Sequence, residues 1–270
     1  MGHFNVSNLE MLWGVARAAK NLNLPVVIGV SDGERDAMGL HQVVALVKSL
    51  RESEGLEIFL NSDHTSSLDR AKEAIAAGFD AVLADGSKMS WEDNLKFTGA
   101  VVAAARESGR EVLVEGELGH IGSGSQVRDV IDTDLTAAPL TTPEQAVEFI
   151  KLTGVDLLAP AVGNFHGMLR GGVDPALNLD LIKNIAASAG VPLVLQGASG
   201  NSDDDIMGAI RNGVALVHVS TELRVAYRDA LKLALAENPE EAAPYKFTRP
   251  ATQAVEKLVE KKLKLFNLDK

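Results

Sequence analysis

The sequence predicts an α/β fold, a single (β/α)8 TIM barrel, on three observations. The chain has 270 residues, long for one small domain and ordinary for a barrel. Eight short apolar runs alternate with longer amphipathic segments, the pattern of parallel strands covered by helices. The composition is 46% apolar but only 4% aromatic, so the core must be built from Val, Leu, Ile and Ala, which suits strands buried on both faces. An open doubly wound sheet ranks second, because no G-x-G-x-x-G opens a helix after the first strand.

Taken in order, the predicted strands are "HFNV" (3–6), "PVVIGVS" (25–31), "EIFLNSD" (57–63), "AVLADGS" (81–87), "EVLVEGELG" (111–119), "DLLAPAVGN" (156–164), "VPLVLQGASG" (191–200) and "ALVHVST" (215–221). Helix-period segments lie between most of them. "SLDRAKEAIAAGF" and "TPEQAVEFIKLTGV" each open on an N-cap residue and close near a glycine. The tail "TQAVEKLVEKKLKLFNLDK" reads as a closing amphipathic helix with a solvated Lys face. With no linker, repeat or low-complexity tract, residues 1–270 are expected to form one barrel domain with a C-terminal helical tail. The first strand begins almost at Met1, so another subunit or that helix is expected to cover the barrel floor.

A net charge of −11 argues against general binding to nucleic acid or to an anionic membrane. With no cysteine there is neither a disulfide nor a thiolate metal site. No apolar run approaches the length of a membrane span, and "MGHFNVSNLEM" lacks the layout of a secretory signal. A cytoplasmic protein is expected.

In such a barrel, chemistry sits at the C-terminal ends of the strands. Those ends carry Asn5, Ser31, Asp32, Asn61, Asp63, His64, Asp85, Ser87, Glu115, Glu117, His120, Asn164, His166, Gln196, Ser199, His218, Ser220 and Thr221. His64 and His166, close to carboxylates at one mouth, suit a borderline metal such as zinc. Asp63 precedes His64 directly, so on a regular strand the two point to opposite faces, and a turn at the strand end is needed to bring both to the site. Asp63 is then a candidate proton donor or acceptor. Gly167 and the "GASG" turn (197–200) offer bare backbone N–H groups, and "VSTELR" adds hydroxyls at a helix start. Together these make a phosphate cradle beside strands seven and eight. The loop over 119–132, with Gly122 and Gly124, is expected to close over substrate.

These pieces, with "FNVSNLEML", "PVVIGVSDG", "SDHTSSLDRAKEAIAAGFDAVLADGSKMSWEDNL", "VEGELGHIG" and "VGNFHG", resemble the class II, metal-dependent ketose-bisphosphate aldolases, the fructose- and tagatose-bisphosphate group, over nearly the whole chain. The resemblance implies cleavage of a ketose bisphosphate to dihydroxyacetone phosphate and an aldehyde, with zinc as the usual metal and a homodimer or homotetramer as the assembly. It implies Asp63 as the base for the C4 hydroxyl, His64 and His166 as metal ligands, and Glu117 as an alternative or second-site ligand. Gly167, Gly197, Ser199, Ser220 and Thr221 match the family's phosphate cradle. No lysine stands at the end of strand six, so a Schiff-base route has no visible nucleophile.

The chain departs from the family pattern in three places. Gln196 stands where the family has its third metal histidine, His218 where it usually has asparagine, and the loop after "GELG" lacks the usual acidic cluster, leaving Asp129 as the nearest acid. An imidazole and an amide have changed places on neighbouring strands. The expectation is that His218 serves as third ligand with His64 and His166, while Gln196 hydrogen-bonds the substrate oxygen. The alternatives are a related metal-assisted epimerase or aldolase for another phosphosugar, and a sugar-phosphate-binding homologue whose metal site is altered or lost.

Overall fold

The eight apolar runs all become strands, and they close on one another. The computed structural model describes residues 1–122, 124–130, 138–170 and 174–268. Its barrel strands are β1 (Gly2–Asn5), β2 (Val26–Ser31), β3 (Ile58–Thr65), β4 (Ala81–Ala84), β5 (Leu113–Leu118), β7 (Leu157–Pro160), β9 (Leu193–Leu195) and β10 (Val214–Val219). They form one closed ring in the order β1-β10-β9-β7-β5-β4-β3-β2, with every neighbour parallel. Two further two-residue strands, β6 (Val127–Arg128) and β8 (Met168–Leu169), pair outside the ring. They were not anticipated, because two residues carry no periodic signal.

Around the ring lie α1 (Leu9–Leu22), α2 (Asp32–Met38), α3 (Leu40–Glu54), α4 (Leu68–Ala77), α5 (Trp91–Glu107), α6 (Pro143–Thr153), α7 (Leu179–Ala189), α8 (Asp203–Arg211) and α9 (Thr221–Glu237). A short α10 (Pro244–Phe247) leads into the C-terminal α11 (Arg249–Phe266). The helix boundaries follow local chemistry. The Ser67 side chain caps α4, and Gly78 ends it in the left-handed region. Thr142 and Gln145 form a capping box at α6, Pro143 opens that helix, and Gly154 closes it.

The core is aliphatic, as the composition requires. Ile28, Ile58, Leu60, Leu83, Leu158, Ile182 and Ile185 are buried together with Phe4, Phe79 and Phe149. At about 25 cal/mol per Å2, burying such a side chain contributes about 1.5–3 kcal/mol, so this shell supplies much of the rigidity that the mouth requires. Strand starts are tied down by aspartates. Asp80 pairs with Arg51 and accepts the Leu60 N–H, and Asp156 pairs with Arg106 and accepts the Val114 N–H. The C-terminal α11 packs against the wall of the barrel rather than across its floor. Phe4 alternates with the inward His3 and Asn5, and its ring lies 6.2 Å from that of Phe266, stacked on the outer side of β1.

Candidate active site

The strand ends open into a cavity of about 350 Å3 whose walls include Asn5, Asp63, His64, His166, Gln196 and His218. Asp63 and His64 both reach it because the chain breaks regularity there. The pairing of β3 with β4 slips between Ser62 and Thr65, and His64 adopts φ +47, a left-handed conformation rarely taken by a residue with a Cβ. This supplies the turn that the Asp63-His64 sequence called for.

His64 Nδ1 lies 2.9 Å from Asp85 Oδ2, which leaves Nε2 for the cavity. Asp85 is held in turn by the N–H and Oγ of Ser87, at 3.1 and 2.6 Å. The His64 and His166 rings meet edge to face at 4.6 Å. Glu117 is fully buried, with Oε2 3.7 Å from His64 Nδ1, and neither of its oxygens has a hydrogen-bond partner. His166 Nε2 likewise has none. One ligand atom from each of His64, Glu117 and His166 falls within 4.8 Å of the others. Buried polar atoms left without partners are costly, and a divalent cation at this point would satisfy all of them. The carboxylate behind His64 fixes the ring as metal-bound histidines are usually fixed. The donor set therefore fits the metal that the sequence implied.

Charge distribution agrees. Burial alone would lower the His64 pKa, but Asp63, Asp85 and Glu117 outweigh it and raise it well above the ordinary value. Burial, then His64, lowers that of His166 to about 3. Burial, then Asp85, raises that of Glu117 well above the usual carboxyl range. Asp63 goes the other way. Burial would raise its pKa, but the imidazoles of His64, His218 and His3 hold it well below the ordinary value, so it is ionised at neutral pH.

His218 does not stand with that ligand group. Its Nδ1 lies 3.6 Å from Asp63 Oδ1 and its Nε2 3.5 Å from Glu115 Oε2. Its potential ligand atoms group instead with those of His3 and Asp63. The register sets His3 beside His218 on adjacent strands, and the rings stack face to face at 3.5 Å and 2°. Parallel imidazoles send their lone pairs out in parallel planes, so both cannot point at one ion. The geometry thus groups His218 with His3 and Asp63 rather than with His64 and His166, and the carboxylate of Glu117 is the third potential ligand beside those two. Gly29 makes the stack possible, since a Cβ there would lie 2.1 Å from His3 Cε1.

Gln196, buried at the end of β9, has its Nε2 3.4 Å from Asp63 Oδ1 and 3.1 Å from Glu115 Oε1. Its amide nitrogen is therefore committed to two carboxylates. Asn5 Nδ2 donates to Asp63 Oδ2 at 2.9 Å, so both oxygens of Asp63 are held.

The cradle residues Gly167, Gly197, Ser199, Ser220 and Thr221 all line the same cavity. Ser199 Oγ accepts the N–H groups of Ser220 and Glu222, both at 3.3 Å, and so joins the β9 turn to the start of α9. Gly197 has φ +62, and a Cβ there would sit 2.5 Å from the carbonyl oxygen of Phe165. Of the described residues in the loop before α6, Gly122, Gly124 and Ser125 line the cavity, and the β6–β8 pair ties Val127 and Arg128 to the segment after His166. Asp129 is turned outward to Arg170, 2.6 Å away. Ser123 and residues 131–132 of that loop lie outside the described residues. His120 is exposed and does not line the main cavity.

Sequence reasoning passed over His3, Glu34 and Arg224. A period-two reading of β1 could have found His3, since it shares a face with Asn5. Among the described residues no helix is long and apolar enough to cross a membrane.

A parallel barrel that gathers unpartnered imidazole and carboxylate atoms next to an anion cradle defines a class, the barrel enzymes that set a bound cation against a phosphorylated substrate. Comparison with known proteins narrows it. The family described as fructose-bisphosphate aldolase class-II matches residues 1–270. The fructose-bisphosphate aldolases of Staphylococcus epidermidis and Staphylococcus aureus are each 36% identical to the chain over 269 residues, covering 98% of it and 91% of their own length. The crystal structure of the YdjI aldolase from Escherichia coli K12 superposes with a TM-score of 0.81 at 32% identity, over 100% of this chain and 92% of that one. A fructose-bisphosphate aldolase from Campylobacter jejuni, 22% identical, shares the fold with a TM-score of 0.81 over 99% of this chain and 90% of its own. The chain belongs to the class II fructose-bisphosphate aldolase family and is an enzyme, a lyase of the aldolase type.

Proposed function

We propose that this enzyme uses zinc to cleave a phosphorylated ketose into dihydroxyacetone phosphate and an aldehyde, and runs the reverse condensation. The observation that carries the reading is the grouping of ligand atoms from His64, Glu117 and His166, those of Glu117 and His166 unpartnered, beside an ionised Asp63. Those three residues would hold the metal, which supplies Lewis-acid stabilisation of the negative charge that develops when the C3–C4 bond breaks.

The chain's own residues supply the rest. Asp63 takes the proton of the C4 hydroxyl. Asn5 and Gln196 hold its two oxygens, so the carboxylate does not have to be oriented during the reaction. Backbone N–H groups at Gly167 and Gly197, with the hydroxyls of Ser199, Ser220 and Thr221, bind the phosphate that ends up on dihydroxyacetone phosphate. The loop around Gly122 and Ser125 shields the site from water. The enzyme works in the cytoplasm as a homodimer or homotetramer, an assembly that light scattering would measure.

The test is dihydroxyacetone phosphate release from several ketose mono- and bisphosphates, after chelation and again after zinc is restored. Activity is expected to follow zinc. Asp63→Asn is expected to lower turnover by roughly two to four orders of magnitude with metal retained. Full activity in the chelated enzyme, or parent turnover in Asp63→Asn, overturns the assignment.

A further inference from the structure

Glu34, in the first turn of α2, is 6% exposed and receives five donors. Oε2 accepts from Asn5 Nδ2 at 3.0 Å, the Ser31 N–H at 2.8 Å and Ser31 Oγ at 3.0 Å. Oε1 accepts from Ser7 Oγ at 2.8 Å and from Arg224 Nη2 at 2.5 Å. A capping box at α2 accounts for the bond to the Ser31 N–H alone. Ser31 Oγ adds a second local contact, and the other three come from β1, the segment after it, and α9.

The link through Asn5 reaches the reacting group. The Asn5 amide nitrogen carries two hydrogens, one directed to Glu34 Oε2 and the other to Asp63 Oδ2 at 2.9 Å. An asparagine side chain can turn over and place its oxygen where its nitrogen was. Ionised carboxylates only accept, so with Glu34 on one side and Asp63 on the other, a single orientation satisfies all three groups. If Asn5 turned over, its oxygen would face two carboxylates at once. Arg224 balances the charge of Glu34, which is what lets a buried carboxylate hold this place.

We propose that Glu34 is a positioning residue for Asp63. It acts through Asn5, locking the amide so that a donor always faces the carboxylate that accepts the C4 proton. The proposal rests on the reading of Asp63 as that base.

The experiment uses Glu34→Gln, Glu34→Ala, Asn5→Ala and the Glu34→Ala/Asn5→Ala double variant, each as full-length enzyme with metal content and thermal unfolding recorded. Both Glu34 variants are expected to lower kcat by about 10- to 100-fold, with KM and metal per chain within about 3-fold of the parent. In the Asn5→Ala background the further loss on Glu34→Ala is expected to shrink below about 3-fold, because the route to Asp63 is already cut. A Glu34 variant that loses thermal stability but keeps its kcat shows a helix cap only and overturns the proposal. So does an undiminished loss in the Asn5→Ala background. If Glu34→Ala does not fold, Glu34→Gln, which keeps the side chain's size, decides on kcat. Asp63→Asn separates the two levels: if it retains parent turnover, the base assignment has failed and this inference falls with it. If it is inactive while both Glu34 variants turn over normally, this inference alone has failed.

Discussion

Replacing Glu117 by glutamine separates a metal ligand from a merely buried acid. The substitution keeps size and shape. In the metal-free protein neither oxygen of Glu117 has a partner, so no hydrogen bond is lost. Burial and Asp85 already raise its pKa well above the usual carboxyl range, so a neutral amide replaces a group that prefers to be neutral. The metal-free stability should therefore change by less than about 1 kcal/mol. With zinc present the balance differs. A ligand at about 1,000 times its Kd stabilises the folded state by about 4.1 kcal/mol. Loss of a ligating carboxylate should weaken affinity by at least about 100-fold, since even an outer-shell partner costs about 10- to 100-fold. The residual stabilisation is then about 1.4 kcal/mol, a loss of about 2.7 kcal/mol. For a chain of this size that is a fall in Tm of about 5–11 °C. The assay is thermal unfolding with and without zinc, backed by a chelator-competition titration. An equal zinc-induced shift in parent and variant, or equal destabilisation with and without metal, would refute the ligand assignment.

Three other outcomes follow from the geometry. Metal binding must displace the proton that Asp63 and Asp85 help to hold on His64, and the proton that burial and Asp85 favour on Glu117; His166, lowered to about 3, has none to lose at neutral pH. Affinity should thus rise as pH climbs through the raised His64 range and be lost below it, and calorimetry in buffers of different ionisation enthalpy should find about one to two protons released; none released would contradict the assigned ligands. Gly197→Ala forces a Cβ into the left-handed region and against the Phe165 carbonyl, so it should cost at least about 1–2 kcal/mol and raise KM for phosphorylated substrate, and an unchanged KM would remove that turn from the cradle. Lys262, buried in α11, donates to Glu222 Oε1 at 2.9 Å, and the same oxygen accepts the Gly200 N–H at 3.1 Å. Lys262→Met should cost about 1–3 kcal/mol and loosen the turn at Ser199, read as a lower Tm with a higher KM; a variant matching the parent in both would show that the pair carries no weight.

The barrel was legible because alternation of apolar runs with amphipathic segments is a signal repeated eight times, and one ambiguous run cannot disguise it. Strand ends were less legible. The run over 81–87 stops as a strand at Ala84, because Asp85 turns away to hold His64 and Ser87 turns with it. The run over 191–200 stops at Leu195, where Gln196 turns toward Asp63 and Glu115. In both cases a side-chain hydrogen bond to a distant strand overrides local propensity, and no window of sequence contains its partner. The candidate site divides along the same line. His64, His166 and Asp63 stand out from residue type and place alone, and the three line one cavity. That His218 groups with His3 rather than with His64 and His166 was not legible, because His3 sits on a four-residue strand with too little pattern to draw notice. Glu34 reads in the sequence as an ordinary first-turn acid, and its hold on Asn5 and Arg224 appears only when three separate elements meet.

The pairing of β1 with β10 has a consequence for synthesis. His3 leaves the ribosome more than two hundred residues ahead of His218, its partner in the stack. At about 5–20 residues per second the first strand waits about 10–40 s for the neighbour that shields its inner face. Until then the ring is open at that seam and His3 and Asn5 face solvent or a transient partner. The pocket is thus closed only once β10 has emerged. Metal added during translation should protect the chain from protease only after the final strand has cleared the exit tunnel, and the interval before that is when a chaperone has the most to offer.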